Sequence, residues 1–248
     1  MKAIITDLDR TLLRTDKTVS EYTRTILKKC RDRGIVLMAA TARPQRAVLD
    51  YHRQIGFEAM TTLNGARIIL PQGVIENGIR PSSAESILKK VTEIPDLLLS
   101  METEKGIFSN EPIAEWNAVV FDRFPALPTE GILYKILLSG KKGDIRQEVQ
   151  RALTADTYMT VAEGKLIQIM STASTKWNGV KTMLETLGIQ PNEAVYFGDD
   201  NDDIESIKNC GMGVAVSNAI GEVLEVADFI TGSNDNDGVA WYIEKNIL

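Results

Sequence analysis

Residues 4–13 of the chain read IITDLDRTLL and place two carboxylates directly after a short apolar run. Residues 2–6 have the length and composition of a buried β-strand. An unpaired carboxylate close to a protein core is costly, so packing alone does not explain Asp7 and Asp9. These two residues therefore indicate a functional site at the end of the first strand.

The composition limits the partners and the compartment that we expect. The chain has 248 residues, of which 44% are hydrophobic and 25% are charged, as in ordinary soluble globular proteins. Its net charge of −6 does not favour nucleic acid or an anionic membrane surface as a partner. No apolar run reaches the roughly 18 residues that span a bilayer. The two cysteines form no disulfide framework, so we expect a cytoplasmic protein.

The scarcity of histidine and cysteine excludes several kinds of catalytic site. The single histidine, His52, excludes multi-histidine zinc sites and disfavours a Ser/His/Asp system. A cysteine-based phosphatase loop needs an arginine six residues after its cysteine, and those positions hold Val36 and Val216. Carboxylates are abundant, so any catalytic metal is expected to be a hard, oxygen-liking ion such as Mg²⁺.

Strand-like and helical stretches alternate at both ends of the chain. This alternation predicts an α/β fold with a doubly wound, mostly parallel, Rossmann-like sheet. Residues 81–173 differ in pattern and are predicted to form a separate α/β module, inserted between core segments 1–80 and 174–248. The predicted helices are 20–33, 44–56, 84–94, 145–153, 177–187, 202–210, 220–227 and 238–246.

Polar residues follow three of the predicted core strands. The first strand ends at Asp7, the second at residues 41–43 (TAR), and a later one at residues 198–203 (GDDNDD). Lys176 lies just before a predicted core helix. Ligands of open α/β sheets bind outside the carboxyl ends of the strands, where these groups converge if the strands are neighbours. Crowded carboxylates would repel by about 4 kcal/mol per pair at about 4 Å, which a divalent cation would remove.

Such a cluster suits phosphoryl transfer. A carboxylate can act as the nucleophile and form an aspartyl-phosphate. The approach of an anion to a phosphate requires neutralisation, which a metal ion and a lysine provide. A second carboxylate at a short, fixed spacing can protonate the leaving oxygen and later activate water. The pattern Asp7-Leu8-Asp9 supplies both acids.

The order of these motifs resembles the haloacid-dehalogenase superfamily, and closely its Cof-type, subclass IIB phosphatases. Their pattern is D-x-D-G-T-L, a Ser or Thr after the second strand, a Lys, and G-D-x-x-N-D. The family's NGA appears at residues 64–66, and its later conserved stretches resemble residues 216–219 and 231–240. The resemblance covers essentially the whole chain.

The resemblance implies roles for individual residues. Asp7 would be the nucleophile and Asp9 the general acid/base, while Thr41 and Lys176 would hold the phosphoryl group. Mg²⁺ would be bound by the Asp7 side chain, the main-chain carbonyl of Asp9 and Asp199, with Asp203 in support. The inserted module would be a cap that selects the leaving group. The candidate substrate-binding residues are Thr41, Ala42, Arg43, Asn64, Lys176 and Asn218.

Some of these residues also fit purely structural roles, and others depart from the family pattern. Arg43 is equally compatible with a salt bridge, and Asn64 and Asn218 with turns. Arg10 replaces the glycine of D-x-D-G-T, and its guanidinium could contact the substrate or point to solvent. Asp202 stands where the family has asparagine, and adds a negative charge near the metal site.

We therefore expect a Mg²⁺-dependent phosphatase that acts on a small phosphorylated metabolite, such as a sugar phosphate. A sugar phosphomutase would need the same pair of aspartates and remains an alternative. A non-catalytic, metal-binding regulatory protein of the same fold is a third possibility. The sequence gives neither the physiological substrate nor the oligomeric state.

Overall fold

The computed structural model describes residues 1–113, 116–120, 131–162 and 165–248. It divides the chain into two compact units, one made of Met1–Ile75 and Thr175–Leu248, the other of Glu76–Ser174. Parts of the predicted inserted module, at 114–115, 121–130 and 163–164, lie outside the described residues. Within the described residues, no helix has both the length and the apolar character needed to cross a membrane.

The first unit has an eight-stranded sheet among its described residues. Its strands are β1 (Ala3–Thr6), β2 (Val36–Ala40), β3 (Ala59–Thr62), β4 (Arg67–Leu70), β5 (Gly73–Glu76), β12 (Ala194–Gly198), β13 (Met212–Val216) and β14 (Phe229–Thr231). Their order in the sheet is β14-β13-β12-β1-β2-β3-β4-β5. The six strands from β14 to β3 pair in parallel, and β4 is antiparallel to β3. The mostly parallel sheet confirms the predicted core.

Helices cover both faces of this sheet. They are α1 (Glu21–Asp32), α2 (Leu49–Ile55), α5 (Lys176–Thr186), α6 (Ile204–Asn209), α7 (Gly221–Val226) and α8 (Gly238–Asn246). Successive strand residues alternate between two apolar clusters: Ile4 packs with α1, α2 and α8, and Ile5 packs with α5, α6 and α7. The sheet is therefore doubly wound, as the alternation of strands and helices predicts.

Two helices of the first unit begin differently from the prediction. Pro44 is extended, and a 3₁₀ turn over Gln45–Ala47 precedes α2, which begins only at Leu49. The predicted helix 202–210 likewise starts as a 3₁₀ turn, because the side chains of Asp200 and Asp203 cap it reciprocally. Other ends follow local signals, for example Ser20, whose Oγ accepts a hydrogen bond from the Thr23 N–H at 2.9 Å.

The second unit is an α/β module with its own sheet. Its described strands are β6 (Leu97–Thr103), β7 (Gly106–Ser109), β8 (Val119–Val120), β9 (Leu133–Gly140), β10 (Thr157–Ala162) and β11 (Leu166–Ser171), in the order β10-β11-β9-β6-β7-β8. Helices α3 (Pro81–Val91) and α4 (Arg146–Ala152) share one apolar cluster with alternate residues of β6, β9 and β11. The α/β fold class with an inserted α/β module is thus confirmed.

Candidate active site

The central strand β1 delivers Asp7 to the carboxyl edge of the first unit's sheet. Because β1 lies between β12 and β2, the residues that follow all three strands meet at this edge. The backbone N–H of Asp7 donates to the carbonyl of Phe197 at 2.9 Å, which extends the pairing beyond the strand. The Asp7 side chain is buried, with only 5% of the residue exposed.

Lys176 is the cation at the centre of this edge. Its Nζ donates to Asp7 Oδ1 at 3.0 Å and to Asp203 Oδ1 at 2.7 Å, and lies 3.4 Å from Asp202 Oδ1. Lys176 is the first residue of α5, whose N-cap is Thr175. Burial alone would lower the pKa of Lys176, but the carboxylates of Asp202, Asp203 and Asp7 raise it well above its usual value. The ammonium therefore stays charged although only 3% of the residue is exposed.

Asp203 organises the turn that follows β12. Its Oδ2 accepts hydrogen bonds from the backbone N–H groups of Asp199 and Asp200, at 3.0 and 3.1 Å. Its Oδ1 accepts from Lys176 and, at 2.6 Å, from the buried hydroxyl of Tyr196. A Cβ on Gly198 would lie 2.5 Å from the Cβ of Asp203, so only glycine fits there. With four donors on its two oxygens, Asp203 is held rigidly.

Asp199 points at the same edge and has two partners from the loop after β1. The hydroxyl of Thr11 donates to Asp199 Oδ1 at 2.7 Å, and Nε of Arg10 lies 3.7 Å from Oδ2. Burial raises the pKa of Asp199 to about 6; the Thr11 hydrogen bond opposes this shift, and the charge of Asp203 adds to it. Asp199 is therefore a carboxylate that would gain from a nearby cation.

The acidic residues at this edge fit a divalent cation. Carboxylate oxygens of Asp7, Asp199 and Asp203 all lie within 4.8 Å of one another, and all three residues are buried. Burial, together with the charges of neighbouring carboxylates, raises the pKa of Asp7 well above its usual value although Lys176 opposes the shift. Oxygen ligands of this kind suit hard cations. Since Asp203 already accepts four hydrogen bonds, Asp7 and Asp199 are the better direct ligands.

Asp9 lies in a second, more exposed group of charges. Arg43 donates from Nε to Asp9 Oδ2 at 2.5 Å and from Nη2 to Oδ1 at 2.7 Å, and Lys17 Nζ donates to Oδ1 at 2.7 Å. Burial would raise the pKa of Asp9, but the hydrogen bonds from Arg43 and Lys17 bring it below its usual value. Tyr51 supports both cations: its hydroxyl donates to the Lys17 carbonyl at 3.0 Å, and its ring centroid lies 5.4 Å from the Arg43 guanidinium carbon.

Three of the candidate substrate-binding residues lie around Asp7 and Asp9. The buried hydroxyl of Thr41 accepts a hydrogen bond from the Arg43 N–H at 3.2 Å, and Ala42 between them is exposed. Arg43 itself binds Asp9, as described above. The salt bridge that the sequence allowed for Arg43 therefore exists, and its predicted contact with substrate stays a prediction.

Asn64 and Asn218 make different contacts. Asn64 Nδ2 donates to Asp202 Oδ2 at 2.6 Å, which links it to the Lys176 cluster. Asn218 Nδ2 donates to the carbonyl of Arg10 at 2.8 Å, and its Oδ1 accepts from the Asn234 N–H at 2.9 Å. Asn64 thus joins the acidic edge, whereas Asn218 ties three loops together. Their roles toward substrate stay predictions.

Sequence reasoning missed three residues that contact the candidate site. Thr11 lies in the D-x-D-x-T stretch and binds Asp199, so the motif itself offered a signal. Tyr196 is the only hydroxyl-bearing residue of strand AVYFG, and a buried tyrosine hydroxyl usually has a partner. Lys17 contacts Asp9 from a left-handed backbone position with φ 66°, and no sequence pattern marked it.

Comparison with known proteins places the chain in a family. Residues 4–243 match the model of the haloacid dehalogenase-like hydrolases. The chain belongs to this family. A putative phosphatase of Haemophilus influenzae is 24% identical, and the match covers 98% of this chain and 97% of the relative. The 5-amino-6-(5-phospho-D-ribitylamino)uracil phosphatase YitU of Bacillus subtilis is also 24% identical, over 98% of this chain and 96% of its own.

Solved structures agree with this assignment at the level of the fold. A phosphatase of the superfamily from Bacteroides thetaiotaomicron superposes with a TM-score of 0.87 at 24% identity, over 98% of this chain and 94% of that one. A subclass IIB sugar phosphatase superposes with a TM-score of 0.83 at 18% identity, over 98% of each chain. At the level of the fold, these structures agree with the predicted resemblance to subclass IIB phosphatases. The family match confirms the prediction of a hydrolase of this superfamily.

Proposed function

We propose that the protein is a Mg²⁺-dependent phosphatase that hydrolyses a small phosphorylated metabolite through an aspartyl-phosphate on Asp7. The observation that carries this proposal is the buried Lys176, which joins Asp7 to an acidic cluster whose oxygens fit a divalent cation. The family match and the phosphatase names of the relatives support it.

In the first step, a carboxylate oxygen of Asp7 attacks phosphorus and the leaving-group oxygen departs. Lys176 lies 3.0 Å from Asp7 Oδ1, so it offsets the repulsion between the nucleophile and the phosphoryl oxygens. Thr41 and Arg43 would donate hydrogen bonds to those oxygens. Asp7, the main-chain carbonyl of Asp9 and Asp199 would hold Mg²⁺, with Asp203 in support. When bound, the ion would supply further neutralisation of the transferred group.

Asp9 would then serve as the acid and, later, as the base. It donates a proton to the leaving oxygen in the first step and removes one from the attacking water in the second. Its hydrogen bonds to Arg43 and Lys17 favour the ionised carboxylate, which is the form needed for the second step. Before the first step, Asp9 must gain a proton, which requires Arg43 to exchange Asp9 for the substrate.

We also propose a division of labour along the chain. Residues 1–80 and 174–248 would form the catalytic core, and residues 81–173 would form a cap that selects the leaving group. Relatives that carry the names sugar phosphatase and ribitylaminouracil phosphatase favour a phosphate monoester of a polyhydroxylated compound. The two buried, free cysteines, Cys30 and Cys210, are consistent with the proposed cytoplasmic location.

Phosphate release from a panel of sugar phosphates and other monoesters, measured with Mg²⁺ and with EDTA, tests the proposal. Asp7→Asn should abolish release, since the nucleophile is lost. Asp32→Asn is the matched control, because Asp32 is an exposed carboxylate of α1 that pairs with Lys28. Release that persists in Asp7→Asn or in EDTA would contradict the proposal. An isomeric sugar phosphate without free phosphate would indicate a mutase instead.

A further inference from the structure

Arg10 is an additional cation at the acidic edge, at a position where the family pattern has glycine. Its Nε lies 3.7 Å from Asp199 Oδ2, and its Nη2 donates to the Asn218 carbonyl at 3.0 Å. The side chain is 58% exposed, whereas that of Asp199 is 4% exposed. The guanidinium therefore lies on the solvent side of a buried carboxylate and covers one of its two oxygens.

The backbone shows that this arrangement is maintained against a conformational preference. Arg10 has φ 59°, in the left-handed backbone region that residues other than Gly, Asn and Asp rarely adopt. Asn218 holds the residue from both sides, since its Nδ2 donates to the Arg10 carbonyl and its own carbonyl accepts from Arg10 Nη2. One of these hydrogen bonds holds the Arg10 backbone, and the other holds its side chain beside Asp199.

We propose that Arg10 is a built-in counter-ion of Asp199 that competes with the divalent cation of this site. The inference rests on the proposed metal-dependent function and adds a property specific to this chain. Asp199 Oδ1 already accepts the Thr11 hydrogen bond, so Oδ2, beside Arg10, has the larger remaining acceptor capacity for a metal ion. Metal binding must weaken the Arg10 contact, and the guanidinium charge also repels the ion directly.

The size of the effect follows from the exposure of the pair. A partly exposed ion pair contributes about 0.2–1 kcal/mol, which corresponds to roughly 1.4- to 5-fold in affinity. Direct repulsion of the ion by Arg10 adds to this loss. Neutralising Arg10 should therefore tighten Mg²⁺ binding by about 2- to 10-fold. The gain should shrink at about 1 M salt, where the screening length falls to about 3 Å.

Calorimetric titration of the full chain with Mg²⁺, without substrate, tests the proposal independently of turnover. Arg10→Asn removes the charge and keeps a residue that tolerates the left-handed backbone. It should bind Mg²⁺ about 2- to 10-fold more tightly than the wild type. Arg10→Lys keeps the charge and should stay within about twofold of the wild type. Arg53→Gln is the matched control, because Arg53 is exposed, pairs with Asp50 on α2 and should not alter the affinity.

Thermal unfolding provides a second readout that relief of backbone strain alone would not change. The rise in Tm on adding Mg²⁺ should be larger for Arg10→Asn than for the wild type, since strain relief acts equally with and without the ion. Equal affinity in Arg10→Asn and the wild type would overturn the role of Arg10 and leave the phosphatase proposal intact. Absence of Mg²⁺ binding in both would overturn the competition together with the metal dependence.

Discussion

Replacing Lys176 by methionine tests whether one buried ammonium holds the acidic edge together. Methionine keeps most of the length and apolar stem of the side chain but removes the charge. The ammonium lies within 3.4 Å of carboxylate oxygens from Asp7, Asp202 and Asp203, and only 3% of the residue is exposed. The substitution therefore leaves three neighbouring carboxylates without their shared cation.

Breaking a buried ion pair by removal of one partner costs about 3–5 kcal/mol. That is a large fraction of the roughly 5–15 kcal/mol by which a domain is usually stable. The acids can take up protons instead, which limits the loss at low pH. Acids with raised pKa in the folded state destabilise the protein as pH rises, so Lys176→Met should cost more at pH 8 than at pH 5.5.

Urea denaturation in EDTA, at both pH values, measures this loss in the free energy of unfolding. Lys181→Met is a matched control on the same helix, because Lys181 is exposed and pairs with Glu185 at 3.8 Å. Its loss should be about 0.3–0.5 kcal/mol. Equal losses for the two variants, or a loss for Lys176→Met that does not grow with pH, would refute the account of the cluster.

Three further changes address the turn after β12. The pKa of Asp199 rises from 3.8 to about 6 on folding, so in EDTA the protein should lose about 2 kcal/mol of stability as pH increases from 4 to 7. Adding Mg²⁺, or replacing Asp199 by Asn, should remove the contribution of Asp199 to the decrease of Tm with pH. An unchanged decrease would contradict the raised pKa of Asp199. Tyr196→Phe leaves Oδ1 of the buried Asp203 with one donor fewer, which should cost about 1–3 kcal/mol in urea denaturation and lower kcat. A free energy of unfolding and a kcat equal to those of the wild type would show that the Tyr196 hydroxyl is dispensable. Gly198→Ala puts a Cβ 2.5 Å from the Cβ of Asp203, so Mg²⁺ affinity in a calorimetric titration should fall, and an unchanged affinity would contradict the close packing.

The core fold could be predicted because short-range signals and the strand pattern agree. Apolar runs of strand length mark β1, β2 and β12, and Ser20, Gly34 and Gly188 lie at or beside the helix ends that they predict. The gathering of Asp7, Lys176 and Asp199 depended on β12 lying next to β1, which the sequence allowed without establishing. The 3₁₀ turn at Asn201–Asp203 was missed because it depends on reciprocal capping by Asp200 and Asp203. The 3₁₀ turn at Gln45–Ala47, which has no side-chain cap, was missed as well.

The partners of the predicted site residues were harder to predict. Lys17 contacts Asp9 from a left-handed backbone position, and Arg10 lies beside Asp199 while Asn218 binds its backbone and its side chain. Both contacts depend on loop conformations that neither hydrophobic periodicity nor residue spacing encodes. Sequence patterns indicate which groups meet at the sheet edge, and the loops determine which atoms touch.

The formation of a phosphoryl-enzyme on Asp7 tests the central claim most directly. In Asp9→Asn, the phosphoryl-enzyme can still form from p-nitrophenyl phosphate, because p-nitrophenolate leaves without needing a proton. Its hydrolysis should be slow, because the base that activates water is lost, so the intermediate should accumulate. The variant is mixed with p-nitrophenyl phosphate and Mg²⁺, quenched in acid and digested for mass spectrometry. The account predicts one phosphoryl group on Asp7, lost in Asp7→Asn. Turnover without any adduct, or an adduct on another residue, would contradict it.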